Sequence, residues 1–184
     1  MYDNSGTGVR SALSALGAAL LIGLLASCSS PSPTREYTVP GDVCGIKVSG
    51  SLLEPLLPAG KKISAAPTSA VGVKRCRLVV DERVAFSSSV EVHDATITAR
   101  DVAMSAAGVE PTDTSADGGY VIYSRTGAVG LVKCPATSAK TSVWATVRTQ
   151  HTVNASAMRH FIEAYANALS RNGACESPAP SPAP

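Results

Sequence analysis

Five cysteines, Cys28, Cys44, Cys76, Cys134 and Cys175, constrain this chain more than any other feature. Their spacing contains no C-x-x-C pair, the usual knuckle of thiolate zinc sites and of dithiol redox centres. A zinc site and a redox role are therefore set aside, and disulfides are the favoured reading in an oxidising compartment. An odd count leaves one thiol over. The compartment and the fate of the fifth cysteine thus have to be settled together.

The N-terminus addresses both. Leu13 to Ala26 is a nearly unbroken apolar run of fourteen residues. A membrane-spanning helix needs about 20, whereas the hydrophobic region of a secretory signal needs only about 7–15. Arg10 gives the short positive flank and Asp3 dilutes it. The run ends in Leu25-Ala26-Ser27-Cys28, which resembles the lipobox of bacterial lipoproteins: an aliphatic residue, two small residues, then cysteine. The resemblance implies that residues 1–27 are a signal peptide. It further implies diacylglyceryl transfer to the Cys28 sulfur and cleavage before Cys28. The expected location is the outer face of the cytoplasmic membrane. Ser29-Ser30-Pro31-Ser32-Pro33-Thr34 follows, so residues 28–36 read as a hydrated Ser/Pro spacer. Residues 177–184, SPAPSPAP, read as a disordered Pro-rich tail.

With Cys28 lipidated, four cysteines remain, and they allow three pairings. Cys44–Cys76 with Cys134–Cys175 is favoured, because each bridge then joins elements within its own half of the chain. Residues 37–176 are expected to form a single domain.

Along that domain, Pro40-Gly41-Asp42 reads as a turn. Ser51-Leu52-Leu53-Glu54 has capping-box spacing for a short helix ending by Pro58-Ala59-Gly60. Lys62 to Ala66 reads as a short strand. Arg75 to Asp81 alternates, with Cys76, Leu78 and Val80 on one face, and Asp81-Glu82 turns it into a partner strand, Arg83 to Val92. Thr96-Ile97-Thr98 favours strand, but Ala99 to Ala107 is assigned to helix. Gly108 to Gly119 reads as a loop. Tyr120 to Ser124 and Ala128 to Cys134 form a second hairpin around Arg125-Thr126-Gly127. Ser142 to Gln150 alternates, with Val143, Ala145 and Val147 together. Trp144 is then on the opposite face, either in a second packed layer or partly exposed as a contact. Asn154 caps a final helix, Ala155 to Arg171, with the apolar stripe Met158, Phe161, Ile162, Tyr165, Ala166 and Leu169. Gly173 is expected to end it. The pattern predicts an α+β fold: an antiparallel sheet with helices packed on one face, stapled by two disulfides.

The lipobox, the Pro/Ser spacer, Val43-Cys44-Gly45, Leu56-Leu57-Pro58-x-Gly60, Cys76-Arg77-Leu78-Val79-Val80-Asp81 and the closing Gly173-x-Cys175 resemble uncharacterised lipoproteins of high-GC actinobacteria. The Ala-rich composition agrees. The resemblance implies an anchor and a secreted domain and carries no activity with it.

Candidate chemistry is sparse. The formal net charge is +2 and aromatics are 4% of residues, so no nucleic-acid footprint is present. His93 and Asp94 lie near Ser87, Ser88 and Ser89, but no G-x-S-x-G elbow accompanies them, and they read as solvated residues at a strand end. His160 and Glu163 are one helical turn apart, yet two ligands make no metal site. Glu110, Asp113 and Asp117 before Gly118-Gly119 miss the spacing of a calcium loop. No catalytic residue, metal or cofactor is assigned. Lys61, Lys62, Lys74, Arg75 and Arg77 form the densest basic stretch, and Lys61, Lys62, Arg75 and Arg77 are candidates for contact with anionic headgroups or wall polymers. The expected function is a membrane-anchored binding or accessory module of the cell envelope, meeting a small ligand, an envelope polymer or a membrane protein. The alternatives are a hydrolase acting on envelope material and a purely structural surface protein.

Overall fold

The computed structural model describes residues 34–135, 140–172 and 174–175. The expected signal peptide (residues 1–27), Cys28, Gly173 and the Pro-rich segment 177–184 lie outside them. The chain runs β1 (Asp42–Val43), β2 (Ile46–Lys47), α1 (Gly50–Leu53) and a 3-10 turn (Glu54–Leu56). It continues through β3 (Ile63–Ala70), β4 (Val73–Val80), β5 (Arg83–Asp94), α2 (Ala99–Ala103) and β6 (Thr114–Ala116). A second 3-10 turn (Asp117–Gly119) precedes β7 (Val121–Tyr123), β8 (Gly127–Val132), β9 (Thr141–Thr149) and α3 (Ala155–Arg171). β1 and β2 make a small hairpin. The other seven strands form one antiparallel sheet in the order β3-β4-β5-β9-β8-β7-β6. The fold is α+β, and both expected disulfides, Cys44–Cys76 and Cys134–Cys175, are formed.

The central hairpin turns at Asp81 and Glu82, both at positive φ (46° and 68°). Such a two-residue turn matches the twist of its flanking strands, and Asp tolerates it through local hydrogen bonding. Here the Asp81 carboxylate accepts the backbone N–H groups of Lys61 and Lys62 at 2.9–3.1 Å. These bonds favour the ionised form and hold the Asp81 pKa below its usual value.

In β4, Cys76, Leu78 and Val80 are buried as the alternation predicts. Opposite them the register shifts between Leu78 and Val79. Ala85 is the extra residue, so both Ala85 and Phe86 reach the core. β3 runs on to Ala70, beyond the expected end at Ala66, and passes through Pro67. An edge strand permits this, because the missing N–H faces away from the ladder.

Four other expectations are corrected. The Ser51–Glu54 capping box is not made. Ser49 occupies the cap position without capping a backbone N–H, its hydroxyl meets that of Ser51 at 2.7 Å, and Glu54 pairs with Arg35 at 2.9 Å. The capping box instead forms at Thr98, whose N–H and hydroxyl donate to Asp101. It starts α2 at Ala99, and the helix stops at Ala103, short of Ala107. Thr96-Ile97-Thr98 does not extend the strand, because Asp94 accepts the Thr96 N–H and hydroxyl and turns the chain. The 108–119 segment, read as loop, contains β6.

α3 follows its prediction closely. The Asn154 side chain accepts the Ser156 N–H at 2.8 Å, and Met158, Phe161, Ile162, Tyr165, Ala166 and Leu169 are all buried. Phe161 meets Phe86 edge-on at 5.3 Å and stacks on Tyr165 at 5.7 Å, an arrangement that adds to simple area burial. The buried Tyr165 and Ser88 hydroxyls satisfy each other at 3.1 Å. Gly130 lets the helix sit this close, since a Cβ there would lie 2.9 Å from Ile162 Cγ1. Gly130→Ala is expected to destabilise the domain by about 1–3 kcal/mol through overpacking. Urea unfolding measures this, and an unchanged midpoint would show that α3 lifts off the sheet freely.

The opposite sheet face has its own small core. Trp144, 2% exposed, packs with Ile122 and Val129 beneath Ala99, Val102 and Ala103 of α2, and Val109. Its Nε1–H donates to Ser142 Oγ at 2.9 Å. The major helix thus covers one face as expected, while α2 covers only the β7–β8–β9 part of the other.

Candidate functional site

Two hollows follow from how the helices cover the sheet. On the α3 face, the helix packs mainly against β7, β8 and β9, and its C-terminal end borders β3 and β4 across a gap. The β1–β2 hairpin, held to β4 by Cys44–Cys76, stands beside it. Between them lies a cleft of about 420 Å3, within the size range of small-ligand sites. Val43, Ile46, Val90, Leu169 and the Cys44–Cys76 bridge give it apolar walls. Tyr165 lies against it with its hydroxyl turned to Ser88, and burial pushes the phenol pKa up, so the ring stays neutral. Lys74, on the same face of β4 as Cys76, stands exposed among the lining residues, and no carboxylate lines the cleft. Arg75 is also among the lining residues, and an apolar trough with these two cations at its edge suits an apolar body carrying a negative group.

On the other face the β3–β4–β5 half is bare. Arg77 of β4 pairs across with Ser87 of β5, and Ser87 pairs with Arg148 of β9. The next row runs Arg75, Ser89, Thr146. These residues, with Ala107 from the segment after α2, line a second hollow of about 210 Å3.

Of the basic residues singled out in sequence, Arg75 and Arg77 meet on this face. Lys61 and Lys62 lie at the far end of β3, committed through their backbones to Asp81. Arg148 was missed. Its neighbours in sequence are unremarkable, and only the β5–β9 pairing brings it beside Ser87. Lys74 belongs to the cleft on the opposite face, as strand alternation requires.

The hydrolase constellation does not assemble. Ser88 is buried under Tyr165, and Asp94 is occupied by Thr96. Ser89 Oγ donates to Glu91 Oε1 at 2.6 Å, while His93 Nε2 lies 3.4 Å from Glu91 Oε2 without a hydrogen bond. The carboxylate thus sits between serine and imidazole, whereas a nucleophile needs the imidazole next to it. Glu163 is paired with Arg159 at 2.8 Å rather than with His160, Asp113 accepts the Glu110 N–H, and Asp117 pairs with Lys133 at 2.8 Å. No cluster of three or more potential metal ligands occurs among the described residues.

Comparison with family models, with curated proteins and with solved structures finds no match for this chain.

Proposed function

We propose that this chain is a lipid-anchored extracytoplasmic binding protein that holds a small amphiphile in the cleft between β4 and α3. The cleft carries the reading: it is open, walled by apolar side chains, and has Lys74 in place to meet one anionic group. Two observations support the address. Leu25-Ala26-Ser27-Cys28 has the lipobox pattern, and the two disulfides need an oxidising compartment to persist. Lipid on Cys28 would hold the domain at the outer face of the cytoplasmic membrane, with the Ser/Pro stretch as its tether. The protein's task there is to carry or present the bound molecule rather than to transform it.

Anilinonaphthalene sulfonate, an apolar fluorophore with one negative charge, serves as the probe. Its fluorescence is expected to rise on binding at a single site. Ser69, exposed on β3 beside Lys74, lines the cleft. Ser69→Trp fills the cleft, and Lys74→Glu reverses the charge. Each is expected to weaken binding about tenfold or more, equivalent to roughly 1.4 kcal/mol. Unaltered binding in both variants would remove the cleft as the site.

A further inference from the structure

We propose that the bare half of the sheet face opposite α3 is a second site, which shares Arg75 with the lining of the cleft. It binds a compact phosphate-type oxyanion between Arg75, Arg77 and Arg148.

Three arginines converge there from two strands that flank β5. The β4 and β9 positions are two strand spacings apart, about 10 Å, and Arg75 and Arg77 are about 7 Å apart along β4. Among the described residues, none of the three makes an ion pair or a side-chain hydrogen bond, and no carboxylate lines the hollow. Another hollow on this domain shows the contrast. It is lined by Asp117, Lys133, Arg159 and Glu163, and there every charge is answered by its neighbour. Around Ser87 three like charges are held on adjacent strands with the nearest carboxylate, Glu91, one row beyond Arg75, and this excess of positive charge favours an anion.

The chemistry of the lining is suited to such a ligand. Guanidinium groups donate in a planar fork that matches phosphate oxygens, and Ser87 and Thr146 add hydroxyls between them. Ser89 is already committed to Glu91, and Glu91 lies two rows from Arg77 and Arg148, so its carboxylate is set back from the centre of positive charge. Arg148 is also positioned. Its Cγ lies 3.3 Å from where a Cβ on Gly108 would be, so its stem rests against the segment after α2.

That segment decides between a flat partner and a compact one. α2 and residues 104–109 rise over β8 and β9, and Ala107 stands at the rim of the hollow. Arg148 therefore sits at the foot of a step. A planar membrane surface would ride on the step and on exposed Arg75 and Arg77. A soluble phosphate group reaches all three arginines.

The test is thermal unfolding of the full-length protein in neutral detergent, in phosphate and in chloride at matched ionic strength. At phosphate about tenfold above its Kd, the melting temperature is expected to rise about 3–5 °C over chloride. Phosphate also stabilises proteins non-specifically, so the variant comparison is decisive. Arg77→Gln with Arg148→Gln is expected to lose the phosphate-specific rise while melting in chloride at or above the parent temperature, because repulsion has been relieved. Ser69→Trp, which blocks the cleft on the other face, is expected to keep the rise, so failure of one site is distinguishable from failure of the other. Calorimetric titration of the parent with inorganic phosphate gives the same answer without a variant. An equal phosphate response in the double variant would overturn the assignment, as would no heat of binding in the parent. Binding to phosphatidylglycerol vesicles with no response to phosphate would also overturn it.

Discussion

Cys28→Ala, exported behind an ordinary cleavable signal peptide, is expected to move the protein from the membrane fraction to the soluble extracytoplasmic fraction, with loss of palmitate labelling. Each acyl methylene buried in a bilayer contributes about 0.8 kcal/mol, and two chains give a stable anchor where one is marginal. Nothing on the described domain substitutes for them. No helix among the described residues is long and apolar enough to cross a membrane. A basic residue close to an anionic surface contributes only about 1 kcal/mol. Removing the acyl chains is therefore expected to change the partition almost completely rather than by degrees. Fractionation with quantitative blotting measures it, and retention of the variant in the membrane fraction would show that the anchor lies elsewhere.

Removing the Cys44–Cys76 bridge as a pair, Cys44→Ala with Cys76→Ala, is expected to cost about 3.5–4 kcal/mol. The bridge closes a loop with a sequence separation of 32, and the chain-entropy model sets that magnitude. For a domain of this size the melting temperature should fall about 7–16 °C. A second effect follows from position. Val43, Cys44 and Ile46 form one wall of the cleft, and the bridge ties their short hairpin to β4. Binding of the fluorophore should weaken in the folded variant. The Cys134–Cys175 pair, separated by 41, should cost a similar amount by the same model, while leaving the hairpin wall in place. Differential scanning calorimetry with fluorophore titration separates the two bridges. Asn172 and Ala174, beside Cys175, also line the cleft, so some loss is expected from either bridge, and unaltered binding in the folded Cys44→Ala/Cys76→Ala variant would detach the cleft from the hairpin wall.

Elements were readable where several local signals agreed. α3 carried a cap at Asn154 and a stripe at helical spacing, and both placed it correctly. β4 was readable because Cys76, Leu78 and Val80 alternate next to a turn-forming Asp81-Glu82. The disulfides followed from chain halves once Cys28 was assigned to lipid. Failures came where the decision is tertiary. Ala85 enters the core only because the ladder slips by one residue against Leu78 and Val79. Ser51 and Glu54 had the spacing of a cap, but Arg35 took the glutamate. Thr98 and Asp101 had it too, inside a segment whose β-branched residues argued for strand. Trp144 was left between two fates that only the position of α2 could resolve.

The same distinction governs the candidate sites. Arg75 and Arg77 were visible as a basic pair, but Arg148 joins them only through the strand order β4-β5-β9. Lys74 is adjacent to Arg75 in sequence and serves the opposite face. The cleft could not be foreseen at all, because it arises from α3 lying mainly over β7, β8 and β9, which leaves β3 and β4 to meet its C-terminal end and the β1–β2 hairpin.

Native mass spectrometry of the full-length protein, extracted from its own membranes with disulfides intact, tests the proposed function most directly. The expected species is a chain beginning at a diacylglyceryl-modified Cys28, with two disulfides and one small amphiphile that leaves at raised collision energy and is absent from Ser69→Trp. A chain with unmodified Cys28, or an acylated chain that carries the same passenger in Ser69→Trp, would contradict the proposed function.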